Sequence, residues 1–177
     1  MNPPEVIESV RLRLRKPVME DASLIFERFA KDSDVTRYLT WRPHENIGST
    51  KNFLKRCLSV WEDGSAFPYV VVLKEDDQLI GIFEIRIEGH RADIGFALAK
   101  RNWGNGYMTE AAQAIVDWAF KQDGIFRVWA FCDRENRSSA RVLEKVGMRR
   151  EGVLRRWAIH PSLSEEPRDC YVFAKVR

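Results

Sequence analysis

Between Tyr107 and Gln122 the apolar side chains Met108, Ala111, Ala112, Ile115, Val116, Ala119 and Phe120 return at i, i+3, i+4 and i+7. That spacing gathers them on one stripe of a helix, and the stripe must be buried against something. Just upstream, Ala92, Ile94, Phe96 and Leu98 alternate with Asp93, Gly95, Ala97 and Ala99, the period of two that marks a strand. A helix laid on a sheet is therefore the first constraint on the fold. Further strands are expected at Arg11–Arg15, Tyr69–Lys74, Leu79–Ile87, Phe126–Cys132, Arg149–Trp157 and Cys170–Lys175, the second and third joined as a hairpin by Glu75-Asp76-Asp77. Helices are expected from about Glu20 to Lys31, Lys51 to Glu62 and Asn136 to Val146, the last ended by a left-handed Gly147. Strands and helices alternating around a mixed sheet make the chain α/β or α+β, in three layers.

The 177 residues suit a single domain, 1–177, which at this size buries roughly 70% of the surface its unfolded chain exposes. No apolar run approaches the roughly 20 residues needed to cross a bilayer, and the N-terminal residues carry no export signal. A soluble, cytoplasmic protein without a membrane partner is expected. Cys57, Cys132 and Cys170 are widely spaced, which suits ordinary buried thiols better than a disulfide framework. His44, His90 and His160 are equally scattered, so no metal is expected. The net charge of +3 is small, and the Arg149-Arg150 and Arg155-Arg156 pairs have no aromatic-basic motif beside them, so no nucleic-acid partner is expected.

The chemically informative stretch is Arg101-Asn102-Trp103-Gly104-Asn105-Gly106-Tyr107, between a strand and the strongest helix. Unpaired N–H groups and the dipole at a helix N-terminus favour phosphate, and glycines let the backbone approach it. There is no Gly-Lys-Ser/Thr for a P-loop. A dinucleotide fingerprint would need a third glycine where Thr109 stands.

These residues resemble the GNAT superfamily, in its branch similar to RimJ/RimL-type ribosomal-protein N-terminal acetyltransferases. Arg101, Gly104 and Gly106 fit the superfamily's Arg/Gln-x-x-Gly-x-Gly/Ala, and Trp103 to Ala111 fits the branch's Trp-Gly-x-Gly-Tyr-x-Thr-Glu-Ala. Asn136-Arg-Ser-Ser139 through Glu144-Lys-Val-Gly147-Met forms a second matching block, with Met148 in place of an aromatic residue. The resemblance covers nearly the whole chain. It implies a GNAT fold, a central mixed but mostly antiparallel sheet with helices on both faces, and acetyl-CoA as donor with no metal.

On this resemblance, backbone amides from Asn102 through Trp103, Gly104, Asn105, Gly106, Tyr107 and Met108 to Thr109 would hold the pyrophosphate, with Arg101 in the same motif. The strand ending at Leu98-Ala99 would pair with the pantetheine arm, and an N–H near Leu98 would stabilise the oxyanion. Asn136 would bind the pantetheine amide, although it also suits a plain N-cap. The family's usual tyrosine acid falls at Leu143, so Ser139 is the substitute nominated, with a local cap as its other reading. Glu84 interrupts an apolar strand and is the proposed base, against an ion-paired strand residue. Tyr38, Trp41 and Trp157 are the proposed acceptor pocket, against core packing. Glu110, in the first helical turn, is explained by the helix dipole. The acceptor implied is a primary amine, on a protein N-terminus or alternatively a small molecule such as a polyamine, amino acid or antibiotic; a non-catalytic acyl-CoA-binding module is the other class. Nothing in the sequence sets the oligomeric state.

Overall fold

The computed structural model describes residues 2–177. Eight strands form one sheet in the order β1-β2-β3-β4-β5-β6-β8-β7. They are β1 (Val6–Glu8), β2 (Leu12–Arg15), β3 (Phe67–Leu73), β4 (Leu79–Glu88), β5 (Arg91–Leu98), β6 (Arg127–Asp133), β7 (Arg149–Ala158) and β8 (Arg168–Val176). Every neighbouring pair is antiparallel except β5 and β6. That parallel pair needs a crossover, supplied by the helix foreseen from the 3.6-residue period, here Tyr107–Phe120.

The helices are α1 (Ala22–Ile25), α2 (Ser33–Thr36), α3 (Ile47–Asp63), α4 (Tyr107–Phe120) and α5 (Arg137–Lys145). The first extends a 3-10 turn at Met19–Asp21 and runs on as a π turn through Phe26–Ala30. The helix expected from Lys51 starts four residues earlier, because the Asn46 side chain accepts the Ser49 N–H and caps it there. Gly147 is left-handed at φ 83°, and the Met148 N–H bonds back to Leu143 O, closing α5 as a Schellman turn. The one strand missed in the sequence is β1, where only Ile7 is buried and three residues show no usable period.

Two cores lie on opposite faces of the sheet. On one, Met108, Ala111, Ile115 and Val116 of α4 and Leu143 of α5 pack on Leu14, Phe83, Ile94 and Val128. On the other, Ile25, Phe29 and Leu54 cover Val70, Ile82 and Ala97. Burying each such side chain fully contributes about 1.5–3 kcal/mol. The second core takes its strand residues from β3, β4 and β5 alone. The same face continues over β6, β8 and β7 with half-buried Trp129, Phe131, Val172 and Leu154 and exposed Trp157. The three cysteines are free and buried, as expected, and burial pushes the Cys57 and Cys132 thiols up to about 12. No helix among the described residues is long and apolar enough to cross a membrane.

Candidate active site

The site begins where the sheet comes apart. The β5–β6 ladder pairs Arg91 with Arg127, Ala92 with Val128 and Asp93 with Trp129, and then stops. From Ile94 to Leu98, β5 continues beside β4 only. Ala99 N–H donates to Ile80 O on the β4 side at 2.8 Å. Backbone groups alternate sides along a strand, so the N–H and C=O of Leu98 and of Phe96 face the gap. The indole Nε1–H of Trp103 enters from that side and donates to Leu98 O at 2.7 Å; the Leu98 N–H stays available.

At the end of β5 a 3-10 turn, Lys100–Asn102, leads into the glycine loop. Gly104 and Gly106 have φ of 81° and 76°, a region that costs other L-residues roughly 1–2 kcal/mol. Gly106 is the N-cap of α4 and offers no capping side chain, so the first-turn N–H groups are left for an anion. The loop is braced from behind. Glu110 accepts from Ser9 Oγ and Arg11 N–H, both at 2.7 Å, and from Arg11 Nε at 2.7 Å. Arg11 also reaches Asn105 O at 3.2 Å and lies 4.5 Å from the Tyr107 ring centre. Burial works against the charge on Glu110, but these donors outweigh it and hold the carboxyl below its usual value. The helix dipole therefore accounts for only part of Glu110's role. Arg11, read in the sequence as a strand residue, is a brace of the loop that only the fold could reveal.

A cleft of about 730 Å³ joins the gap to the loop. Leu98, Trp103, Gly104, Gly106, Tyr107, Met108 and Thr109 line it, as do Asn136, Ser139 and Tyr38. Ala99, Arg101, Asn102 and Asn105 do not. Ala99 and Asn102 are buried, and the Asn105 amide supports the turn by donating to Asn102 O and Trp103 O. Arg101 is exposed. Asn136 Oδ1 accepts the Ser139 N–H at 3.1 Å, so the plain N-cap reading of Asn136 holds while the residue still faces the cleft. Leu143 is buried in the core, and the hydroxyls that α5 brings to the cleft are those of Ser138 and Ser139. Four cations the sequence did not single out for this site, Arg37, Lys100, Arg141 and Lys145, also line the cleft. Asp34, its one carboxylate among the described residues, pairs with Lys100.

Glu84 lies outside the cleft lining, on the sheet face covered by α3. It pairs across the ladder with Gly95, is 35% exposed at its side chain, and contacts Arg86 Nη1 at 3.1 Å. Burial pushes its carboxyl above the usual value, against the pull of Arg86 and with the repulsion of Asp93. Trp41 is also outside the lining and packs against His44 and Phe53, with ring centres 4.9 and 5.8 Å away. Trp157 stands on β7, 6.0 Å edge-on from Phe131.

This arrangement fits a long, phosphate-bearing thioester. Uncapped amides of the α4 N-terminus, four cations and the unpaired backbone of β5 meet in one cleft. Residues 11–149 match the family model of the acetyltransferase (GNAT) domain. The chain belongs to the GNAT acetyltransferases. As a GNAT protein it is an acetyl-CoA-dependent N-acetyltransferase. It is 32% identical over 152 residues to the uncharacterized N-acetyltransferase YnaD of Bacillus subtilis, covering 85% of this chain and 86% of that one. A GNAT-family acetyltransferase from Bacillus anthracis superposes with a TM-score of 0.83 at 30% identity, covering 97% and 98% of the two chains. Mycobacterium smegmatis RimJ, solved with CoA-disulfide, shares the fold with a TM-score of 0.87 at 24% identity, over 99% and 90%.

Proposed function

We propose that this GNAT protein acetylates the α-amine of a protein or peptide N-terminus, by direct transfer while donor and acceptor are bound together. The observation that carries the proposal is the opening of the sheet after Asp93 and Trp129. It provides a slot with the glycine loop at one end and a half-buried carboxylate on an adjoining strand. Bound acetyl-CoA would supply an activated acetyl group. The N–H groups of Asn102 and Trp103 are taken by Ala99 O and Lys100 O, so the loop N–H groups from Gly104 to Thr109 would hold its phosphates, and the open backbone of β5 at Phe96 would receive its amide arm as an added strand.

Within that frame each residue has one task. The Leu98 N–H donates to the thioester oxygen as negative charge develops there, a contribution of about 2.7–4 kcal/mol for comparable donors. A Glu84 carboxylate oxygen takes the proton from the amine nitrogen. The new N–C bond forms as the C–S bond breaks, and the Ser139 hydroxyl gives its proton to the departing sulfur, regaining one from solvent. The fold shared with RimL, a ribosomal L7/L12 alpha-N-protein acetyltransferase, supports an N-terminal acceptor. So does elementary acid–base chemistry: at pH 7.5 an α-amine of pKa about 7.8 is roughly one-third neutral, whereas a lysine amine at about 10.4 is only on the order of 0.1% neutral. A weak base such as Glu84 suffices for the former.

The test is a thermal shift with acetyl-CoA beside CoA, ATP and NADH, followed by acetylation of N-terminal peptides and of spermidine. Ligand at a hundred times its Kd stabilises the native state by about 2.7 kcal/mol. Stabilisation by acetyl-CoA and CoA alone, with peptide turnover, is the expected result. A shift with the nucleotides alone sinks the cofactor assignment, and turnover of spermidine but no peptide sinks the acceptor.

A further inference from the structure

One stretch of the sheet is left bare beside the proposed base. Glu84 pairs with Gly95, and Asp93 pairs with Trp129. Side chains on a strand return to the same face every second residue, so Glu84, Asp93, Gly95, Trp129 and Phe131 all rise from one face. It is the face on which α3 stops short of β6. A Cβ added to Gly95 would meet no atom within 4 Å. Had the parallel ladder continued, Phe131 would stand next to Gly95; because it ends at Asp93, the two are separated by the opening gap. On the far side a register break between Leu154 and Ala158, with Arg156 at φ 45°, turns Trp157 in against Phe131. Trp157 is 49% exposed. The result is a trough with a glycine floor, an aromatic wall and Glu84 at its edge.

The charges around this trough balance only as a group: the carboxylates of Glu84 and Asp93 stand against Arg86, which touches both, and Arg56, which also acts on Glu84. Arg86 donates to Asp93 through Nε at 2.8 Å and also contacts Glu84, so a second positive charge on the acceptor would find no carboxylate of its own. Aromatic rings and bare backbone instead offer contact to an apolar body.

We infer that the acceptor lies in this trough, and that the chain selects an N-terminal residue with a bulky apolar side chain, seated over Gly95 against Phe131 and Trp157. The inference rests on the α-amine reading above and extends it to the identity of the first residue. Gly95 and Phe131 then become residues that set specificity.

The experiment is steady-state acetylation of peptides differing only in their first residue (Phe, Ala or Asp), beside phenethylamine and spermidine. Wild type, Gly95→Leu and Trp157→Ala are compared, with acetyl-CoA affinity measured calorimetrically for each. Gly95 is not among the positive-φ glycines, so leucine is tolerated by the backbone and fills the trough. Expected is a preference for Phe over Ala of about tenfold or more, the scale of one large apolar contact. Gly95→Leu should erase it through KM with acetyl-CoA affinity unchanged, and Trp157→Ala should weaken it. Equal or better use of Ala, an equal loss on all peptides in Gly95→Leu, or no turnover of any apolar amine while acetyl-CoA binds would each overturn the inference. Failure of wild type to bind acetyl-CoA would instead count against the cofactor assignment.

Discussion

The strands from β2 to β5 and those from β6 to β7 belong to one sheet, yet they are protected very differently. In the first group one face is covered throughout and the other over β3, β4 and the end of β5, and Leu14, Val70, Phe83 and Ile85 are fully buried. In the second, α5 covers one face, while the other leaves Trp129, Phe131 and Trp157 in contact with solvent. The two groups are joined by three residue pairs of parallel ladder. The contrast separates two kinds of work. The better covered half is a rigid platform that fixes β5, the glycine loop and Glu84. The half-covered half keeps apolar surface open, at the cost of relying on polar ties to hold its loops.

That division can be broken by experiment. The largest effect is expected on the platform, at Glu84. Glu84→Gln should lower kcat by about 10²–10⁴-fold, the usual contribution of a general base, with acetyl-CoA affinity retained. Arg86, Asp93 and Arg56 act on this carboxyl besides burial, and the balance is upward. The wild-type rate should therefore rise with pH through a pKa above the ordinary glutamate value, and that limb should vanish in the variant. An unchanged pH profile would remove Glu84 from the mechanism.

The second prediction concerns a tie in the half-covered part. Arg168 donates to the buried Asp133 at 2.6 Å (Nε to Oδ2) and 3.2 Å (Nη2 to Oδ1). Burial alone would raise the Asp133 pKa, but Arg168 and the Glu135 N–H outweigh it and hold the carboxyl below the usual range. Its contribution is thus present at neutral pH and lost as the pH falls through that lowered value. Arg168→Met leaves the buried carboxylate without its guanidinium, with the Glu135 N–H at 2.9 Å and His160 Nε2 at 3.7 Å still beside it, at a cost of up to about 3–5 kcal/mol, visible as a lower Tm whose dependence on acid is flattened. A Tm within a degree of wild type would show that the tie is dispensable.

A smaller effect is expected at the loop between the halves. Gly104→Val forces a β-branched residue to φ 81°. No protein atom lies within 4 Å of the added Cβ, so the loss comes from backbone strain, about 1–2 kcal/mol, and from crowding the ligand. Acetyl-CoA affinity should drop about tenfold or more; calorimetry showing normal affinity would detach the loop from cofactor binding. The smallest effect, at Phe131, sharpens the comparison most directly when it is set beside a platform residue. Phe83→Ala on the platform should cost about 3–5 kcal/mol in denaturant unfolding, whereas Phe131→Ala on the open face should cost less than about 1 kcal/mol. Equal losses would mean that the two halves are not distinct.

Much of this was legible from residue spacing. The α4 stripe is buried at Met108, Ala111, Ala112, Ile115, Val116 and Ala119, because a two-sided helix on a sheet writes its burial into its period. The glycine pair was legible because positive φ is a local demand. Ser139 and Tyr38, nominated from the family resemblance, both line the cleft. What could not be read is what depends on pairs distant in sequence. The grip of Arg11 on Glu110 spans 99 residues and that of Arg168 on Asp133 spans 35, and neither partner carries a periodic signal. Trp157 could be suspected but not placed, because its direction is set by a register break that the alternating pattern of β7 does not announce.

The strand order has a consequence in time as well as in space. Because β8 lies between β6 and β7, β7 has no partner until residues 168–176 arrive, although it is made before them. During synthesis every strand of the platform is made before residues 168–176. The strand bearing Trp157 must wait as an unpaired ribbon for the last one. The wall of the trough is thus the final part of the molecule to be laid down, after the loop and the proposed base have been made.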